Sequence, residues 1–261
     1  MVIRPAAPIR LPDGHALMTL RGGEGPPAVL FDAGAFGIYA DGANLVRALA
    51  ARGVPAVAYT RRNLSGSEEA EGAPDPAAHG ADMRALLTAL GQPGPVVLVG
   101  HSMAGFRLHA LAAARPSLVR ALVLVDAMVP GAWPRAALAG FAGSLRPVER
   151  ALPAFCRTAN AYPNAMRLEG RERADKLASV YSRDHLRATR LEVAAVARAG
   201  IAPSEDIPMT LLPAGRLARG SRALAARSGA DLIDMSAWGH ASVLSPEPCE
   251  RIADAVLARL G

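Results

Sequence analysis

A serine and a histidine in this sequence have surroundings that suit covalent catalysis. Ser102 follows the apolar run Val96–Gly100, and His240 lies near the carboxyl end in the segment W-G-H-A. A serine hydroxyl is a weak nucleophile at neutral pH until a neighbouring base accepts its proton, and histidine titrates in the range that this task requires. We therefore predict that Ser102 is a nucleophile and that His240 is its general base.

The segment around Ser102 predicts a sharp turn between a strand and a helix. Residues 100–105 read G-H-S-M-A-G, which puts small residues on both sides of the serine. A strained turn needs such residues because the neighbouring backbones crowd it. The helix that follows would turn backbone N–H groups and the positive end of its dipole toward an oxyanion that develops near the serine.

This motif resembles the nucleophile elbow of the α/β-hydrolase superfamily, usually written G-x-S-x-G, with Ala104 here in the fifth position. The early segment L-F-D-A-G-A-F-G, residues 30–37, is similar to the family's His-Gly loop, with Ala33 in place of the histidine. The resemblance implies that the backbone N–H groups of Ala35 and Met103 form the oxyanion hole. Residues 58–67 are similar to a further family stretch whose role there is structural.

The acid that would orient His240 is less clearly marked. Most members of the superfamily carry it after the penultimate strand, but residues 213–229 contain no Asp or Glu. Asp126 ends the apolar run that starts at Ala121, and a minority of the superfamily places its acid there. Three alternatives stay open: a dyad without an acid, Asp206, and an acid from the segment before it.

Short apolar runs alternate with longer segments of helical spacing, a pattern typical of a mostly parallel sheet with helices on both faces. The resemblance implies the same α/β-hydrolase fold. The predicted strands are His15–Arg21, Ala28–Asp32, Pro55–Thr60, Val96–Gly100, Ala121–Asp126, Met209–Ala214 and Asp231–Met235. The predicted helices between them are Gly42–Ala51, Ala78–Leu90, Met103–Ala114, Ser221–Ser228 and Glu247–Leu260.

The strand rhythm stops between Ala127 and Asp206, where helical segments such as Arg171–Tyr181 and Asp184–Ala199 take over. We expect residues 127–206 to form a helical cap within a single domain that spans residues 1–261. Apolar side chains of the elbow, the cap and the histidine loop could line a substrate pocket. The principal candidates are Phe36, Met128, Trp133 and Trp238, and the wider set adds Met103, Phe141, Phe155, Tyr162 and Met166.

The composition excludes several classes of protein. Hydrophobic residues make up 51% of the 261 residues and charged residues 20%, which is typical of a globular protein. The net charge of +6 arises from scattered arginines, with Lys176 the only lysine, so we expect no nucleic-acid partner. No run of 18 apolar residues and no signal peptide is evident, so we expect no membrane partner and a cytoplasmic location.

We predict no cofactor. We also predict no metal ion, because the two cysteines, Cys156 and Cys249, show no metal-ligand spacing. The oligomeric state stays open. The leading hypothesis is a serine hydrolase acting on a small to medium, mainly uncharged ester or lactone. Two others stay open: a lyase or carbon–carbon bond-cleaving enzyme similar to hydroxynitrile lyases and methylesterases, and a non-catalytic binding protein on this fold.

Overall fold

A single mixed sheet forms the centre of the molecule in the computed structural model, which describes residues 2–69, 75–92, 94–150, 161–215 and 218–261. Its eight strands lie in the order β1-β2-β4-β3-β5-β6-β7-β8. The strands are β1 Ile3–Arg10, β2 Ala16–Gly22, β3 Val29–Asp32, β4 Ala56–Tyr59, β5 Val96–His101, β6 Val119–Val125, β7 Met209–Leu212 and β8 Asp231–Leu232.

Strand direction divides the sheet into two parts. Strand β2 runs antiparallel to both β1 and β4, whereas β4, β3, β5, β6, β7 and β8 run parallel to one another. The carboxyl ends of the parallel strands therefore meet at one edge, and the residues that follow β3, β5, β6 and β7 lie close together. In open parallel sheets this edge is where ligands bind.

The helices cover both faces of the sheet. They are α1 Ala43–Ala51, α2 Pro76–Ala89, α3 Ala104–Ala114, α4 Arg135–Arg150, α5 Ala161–Ala165, α6 Gly170–Val180, α7 Arg183–Ala199, α8 Ala218–Ser228 and α9 Pro246–Leu260. Helices α1 and α9 pack on one hydrophobic cluster, and α2, α3 and α8 pack on the other. The prediction of a mostly parallel α/β sheet covered on both faces is confirmed.

Alternation along the buried strands assigns their side chains to the two faces. In β5, Val97 and Val99 join the cluster under α1 and α9, while Leu98 joins the cluster under α2 and α3. All three side chains are fully buried. Each contributes roughly 1.5–3 kcal/mol of hydrophobic free energy, so β5 is held firmly from both sides at the point where Ser102 follows it.

Strand β1 was not predicted from the sequence. Pro5 and Pro8 argue against a strand because proline lacks the N–H that a ladder requires, but an edge strand tolerates them. Strand β1 is an edge strand, and its register with β2 shifts between Arg4 and Ala7. The last predicted strand, residues 231–235, is also shorter than expected and extends only over Asp231–Leu232.

Helices α4, α5, α6 and α7 come between β6 and β7 along the chain, within the segment expected to form a cap. The helices predicted at Arg171–Tyr181 and Asp184–Ala199 correspond to α6 and α7. Side chains of α4 and α7 form a third hydrophobic cluster, which also includes Met103 and Met128. None of the helices in the described part of the chain is both long and apolar enough to span a membrane.

Two fully buried histidines join the segment between β6 and β7 to the rest of the fold. His109 on α3 accepts a hydrogen bond from the Ser204 backbone N–H at 3.0 Å, and His185 on α7 accepts one from the Ser65 N–H at 3.2 Å. Burial lowers the pKa of His109 to about 4 and that of His185 to about 3. Both imidazoles are therefore neutral in the folded protein at every pH above about 5.

These histidines make stability depend on pH. Below about pH 6.5 the unfolded chain takes up protons that the folded protein does not, so stability decreases as the pH falls toward the folded-state pKa values. Between pH 7 and pH 5 each histidine should reduce the free energy of unfolding by about 2 kcal/mol. Urea unfolding should show that His109→Gln loses about 2 kcal/mol less than the wild type over this interval. An identical pH dependence for both proteins would contradict the assignment.

Candidate active site

Ser102 lies in a tight turn between β5 and α3. Its backbone has a φ of +55°, which a residue with a side chain rarely adopts and which costs roughly 1–3 kcal/mol. Backbone hydrogen bonds on both sides hold the turn: Ser102 N–H donates to the Val125 carbonyl at 3.3 Å, and the Ser102 carbonyl accepts from the Met128 N–H at 2.8 Å. The turn is thus tied to the end of the neighbouring strand β6.

Close packing explains why small residues surround the serine. A Cβ on Gly34 would lie 2.7 Å from Ser102 Cβ, and a Cβ on Gly100 would lie 2.5 Å from a methyl group of Leu108. A Cβ on Gly105 would lie 2.3 Å from the Met128 carbonyl oxygen. The close approach of backbones that this turn requires therefore falls at Gly105, the residue after Ala104.

Ser102, His240 and Asp126 form one hydrogen-bonded line. Ser102 Oγ lies 3.0 Å from His240 Nε2, and His240 Nδ1 lies 2.6 Å from Asp126 Oδ2. Since the carboxylate can only accept, Nδ1 carries a proton and Nε2 is free to accept the serine proton. The structure brings together all three residues that the sequence proposed for a triad, in the order nucleophile, base, acid.

Asp126 is held as an anion although it is fully buried. Burial raises the pKa of its carboxyl group, but hydrogen bonds from His240 and from the Ala214 and Gly215 N–H groups outweigh it, so the pKa lies below its usual value. Both backbone N–H groups donate to Oδ1 at 3.0 Å. Of the alternative acids, Asp206 lies exposed in a turn before β7 and is not hydrogen-bonded to His240.

His101 fixes the loop that carries the base, a role that the sequence analysis did not assign. His101 Nε2–H donates to the His240 carbonyl at 2.8 Å, and the centroids of the two rings lie 4.5 Å apart. Burial and, to a smaller extent, the neighbouring His240 lower the pKa of His101 to about 3. A neutral ring at this position holds the His240 backbone without placing a second positive charge beside the imidazole. The sequence offered one indication of this role, which is that His101 directly precedes Ser102.

Two backbone N–H groups near the serine suit the stabilisation of an oxyanion. Met103 directly follows Ser102, and Ala35 directly follows Gly34, whose position touches Ser102. Within the described part of the chain, neither the Met103 N–H nor the Ala35 N–H has a protein acceptor. Donors that face a reacting carbonyl need this freedom, because they must bind the charge that develops there.

A buried cluster of charges lies behind the loop that contains Ala35. Arg61 donates to the carbonyls of Ala33 and Gly34 at 2.8 and 2.9 Å, and Arg107 also donates to the Ala33 carbonyl. The Gly34 carbonyl belongs to the same peptide group as the Ala35 N–H. The arginines thereby fix the direction of the proposed donor.

Two carboxylates neutralise these arginines. Asp32 Oδ1 lies 3.2 Å from Arg61 Nη1, and Asp32 Oδ2 lies 2.7 Å from Arg107 Nε. Glu192, on helix α7, lies 2.6 Å from Arg61 Nε and 3.3 Å from Arg107 Nη1. Burial raises the pKa of Glu192, but the two arginines lower it by more than burial raises it. The pKa therefore lies well below the usual value. This cluster connects α7 to the loop beside the serine.

A cavity of about 940 Å³ opens onto Ser102 and His240. Of the principal pocket residues predicted from the sequence, Phe36, Met128 and Trp133 line it. Trp238 does not: its ring packs against the core and lies 5.4 Å from the Arg251 guanidinium. Most of the lining is apolar, and of the wider predicted set Met103, Phe141, Tyr162 and Met166 contribute to it. Phe155 falls outside the described residues.

Two charged residues of this lining were not singled out as pocket residues from the sequence. Asp41 follows the loop after β3, and Lys176 lies on α6. Their side chains form an ion pair with Nζ and Oδ1 2.8 Å apart. Neither residue stands in a recognisable motif, because partners 135 positions apart in the chain meet only when the helices of the segment between β6 and β7 fold back over the sheet.

Comparison with known proteins places the chain in a family. Residues 29–255 match the model of the family described as "Alpha/beta hydrolase family". A mouse protein named sn-1-specific diacylglycerol lipase ABHD11 is 35% identical over 126 residues. That alignment covers 47% of this chain and 40% of the mouse protein, so it spans less than half of either.

Solved structures share the fold over nearly the whole chain. A thermophilic esterase from Thermogutta terrifontis superimposes with a TM-score of 0.74 at 18% identity, covering 98% of each chain. The epoxide hydrolase VrEH1 from Vigna radiata also gives a TM-score of 0.74 at 18% identity, covering 98% of this chain and 97% of that one. Identities this low establish the fold alone, and the two named activities differ.

The buried charge cluster predicts a large effect of neutralising Glu192. Glu192→Gln should reduce the free energy of unfolding by about 3 kcal/mol, because it leaves the two arginines with one buried counter-charge. The matched control is Glu149→Gln on α4, whose ion pair with Arg190 is partly exposed and should contribute at most about 1 kcal/mol. Urea unfolding of the two variants gives the comparison, and equal effects would contradict the role assigned to the cluster.

Proposed function

The chain belongs to the alpha/beta hydrolase family, and on that premise we propose that it is a serine hydrolase that cleaves a carboxylic ester or lactone. The observation that carries this proposal is the line from Ser102 Oγ through His240 to Asp126, with distances of 3.0 and 2.6 Å. An activated serine beside free backbone N–H groups is the equipment for acyl transfer. The esterase fold relative and the mouse lipase, whose named substrate is an ester, agree with this choice.

In the first step, Ser102 Oγ attacks the ester carbonyl carbon while His240 Nε2 takes the serine proton. The carbonyl oxygen becomes an oxyanion, and the N–H groups of Ala35 and Met103 donate to it. Asp126 stabilises the imidazolium that forms. His240 then gives its proton to the leaving alkoxide, so that the alcohol departs and an acyl-Ser102 ester remains. With a lactone, the alcohol stays attached to the acyl group.

In the second step, water replaces the alcohol. His240 takes a proton from water, the resulting hydroxide attacks the acyl carbon, and the same two N–H groups bind the oxyanion again. Collapse of this intermediate returns the proton to Ser102 Oγ and releases the acid. The two steps together consume one ester and one water molecule and release one acid and one alcohol, which remain joined when the substrate is a lactone.

We further propose that residues 127–206 act as a cap over the cavity. Residues of α4, α5 and α6 line it together with the elbow, among them Leu138, Tyr162 and Val180. A mainly apolar cavity of about 940 Å³ suits a small to medium, mainly uncharged ester or lactone. Exclusion of water by such a cap strengthens the hydrogen bonds to the oxyanion.

Rapid mixing with p-nitrophenyl acetate tests the proposal. If an acyl-enzyme forms and its hydrolysis is the slower step, p-nitrophenol should appear in a burst close to one equivalent of enzyme, followed by steady turnover. Ser102→Ala should abolish the burst and reduce turnover at least about 10³-fold, because no nucleophile remains. Steady turnover that is unchanged in Ser102→Ala would rule out the proposed mechanism.

A further inference from the structure

The turn that carries the proposed donor Ala35 has an unfavourable backbone conformation. It runs from Gly34 to Gly37, whose N–H donates to the Gly34 carbonyl at 3.1 Å. Within it, Phe36 has a φ of +59°, in the left-handed region that favours glycine. A bulky residue keeps such a conformation only where the surrounding structure holds it there. Contacts from outside the turn are therefore needed to maintain it.

Lys176 of helix α6 contacts this turn at the strained residue itself. Its Nζ donates to the Phe36 carbonyl at 2.8 Å. Lys176 is the only lysine in the 261-residue sequence, and its side chain is only 3% exposed. An ammonium group that is buried to this extent requires hydrogen-bond partners, because its charge is no longer stabilised by water. The bond to the Phe36 carbonyl is therefore maintained in the folded protein.

Asp41 neutralises the ammonium group and ties it to the same loop. Lys176 Nζ lies 2.8 Å from Asp41 Oδ1 and 2.9 Å from Oδ2. Asp41 Oδ2 also accepts from the Ile38 N–H at 2.9 Å. The Phe36 carbonyl and the Ile38 N–H belong to the two peptide groups that flank Gly37. The ion pair therefore holds the backbone on both sides of Gly37.

Loss of the contact at Phe36 would reach the Ala35 N–H through the turn. If Phe36 rotates to the negative φ that residues with a side chain prefer, the Gly37 N–H moves away from the Gly34 carbonyl. That carbonyl shares its peptide group with the Ala35 N–H, which would then depend on the hydrogen bond from Arg61. A donor that turns away from the oxyanion no longer stabilises the transition state, although the substrate can still bind.

Resting on the proposed ester hydrolysis, we infer that Lys176 is a positioning residue for the oxyanion hole: by holding the Phe36 carbonyl, it keeps the Ala35 N–H directed at the oxyanion. Lys176 does not contact the reacting atoms in this role. Because it lies on α6, in the segment between β6 and β7, the rate of the reaction depends on the placement of that helix as well as on the triad.

The kinetics of Lys176→Met test this inference. Methionine is also a long, unbranched side chain but has no N–H to donate. With active sites counted by complete fluorophosphonate labelling, kcat should fall roughly 10- to 100-fold, since removal of one oxyanion-hole donor costs about 10²–10³-fold. KM should change by less than about threefold, because acylation and deacylation use the same donors and slow together.

A transition-state analogue separates this role from general support of the fold. A trifluoromethyl ketone forms a tetrahedral adduct with a catalytic serine and places an oxyanion in the oxyanion hole, whereas the corresponding alcohol binds without one. In Lys176→Met the ketone should bind roughly 10- to 100-fold more weakly, in proportion to kcat, with the affinity of the alcohol within about threefold of the wild type. A purely structural role would lower the midpoint of urea unfolding without changing the ratio of the two affinities.

Two further variants complete the comparison. The matched control is Glu172→Gln on the same helix, where the side chain pairs with Arg47 at 2.6 Å, and it should keep the wild-type kcat. Lys176→Met leaves the Asp41 carboxylate without a counter-charge, which can prevent folding. In that case Asp41→Asn combined with Lys176→Met removes both charges and should give the same losses in kcat and in ketone binding.

Two results would overturn the inference. A kcat per active site within about threefold of the wild type in Lys176→Met would show that the Ala35 N–H does not depend on the lysine. Equal weakening of the ketone and the alcohol would show a changed cavity and not a misdirected donor. Wild-type protein that shows neither a burst nor turnover with p-nitrophenyl acetate would instead refute the proposed hydrolase itself.

Discussion

The contact between the Asp126 carboxylate and His240 is the interaction on which the site depends. Asp126 is fully buried, and a carboxylate in that position is stable only if its oxygens are hydrogen-bonded. One oxygen accepts from two backbone N–H groups of the loop after β7, and the other accepts from the imidazole. The acid therefore joins the end of β6 to the loop after β7 and to the histidine loop, and it orients the nitrogen that faces Ser102.

The same solution, a buried charge whose partners come from different elements, supports the other side of the site. Arg61 and Arg107 hold the carbonyls of the loop after β3, and Glu192 brings in a helix from the segment between β6 and β7. His101 does comparable work without charge, since its neutral ring holds the His240 carbonyl. The loop after β3, helix α7 and the loop that carries His240 are thereby fixed relative to a serine in a strained turn.

Local patterns predicted the parts of this protein that depend on neighbouring residues. The apolar runs of β3 to β7, the helix spacing and the small residues around Ser102 are all readable along the chain, because period and turn chemistry are local properties. Asp126 could be proposed because residues 213–229 contain no acid. It also ends a predicted strand after which a minority of the superfamily places its acid. Strand β1 was missed, since its prolines are acceptable only at an edge, and whether a strand lies at an edge is not visible locally.

Contacts between distant residues were beyond such reasoning. Lys176 and Asp41 stand in no motif, and only the folded chain places them in one cavity. Trp238 was predicted to line that cavity because it lies two residues before His240, but the loop turns its ring toward the core and Arg251. Proximity in sequence to a functional residue fixes the position of a backbone, and it does not fix the direction of a side chain.

The most direct test of the account is the kcat of Asp126→Asn on a p-nitrophenyl ester, measured beside Asp206→Asn, which changes an exposed acid. An asparagine can donate to His240 Nδ1 and thereby place the imidazole proton on Nε2, where it blocks transfer from Ser102. The account predicts a fall of roughly 10⁴-fold in kcat for Asp126→Asn with the fold retained, and no change for Asp206→Asn. A folded Asp126→Asn protein with kcat within about tenfold of the wild type would contradict it.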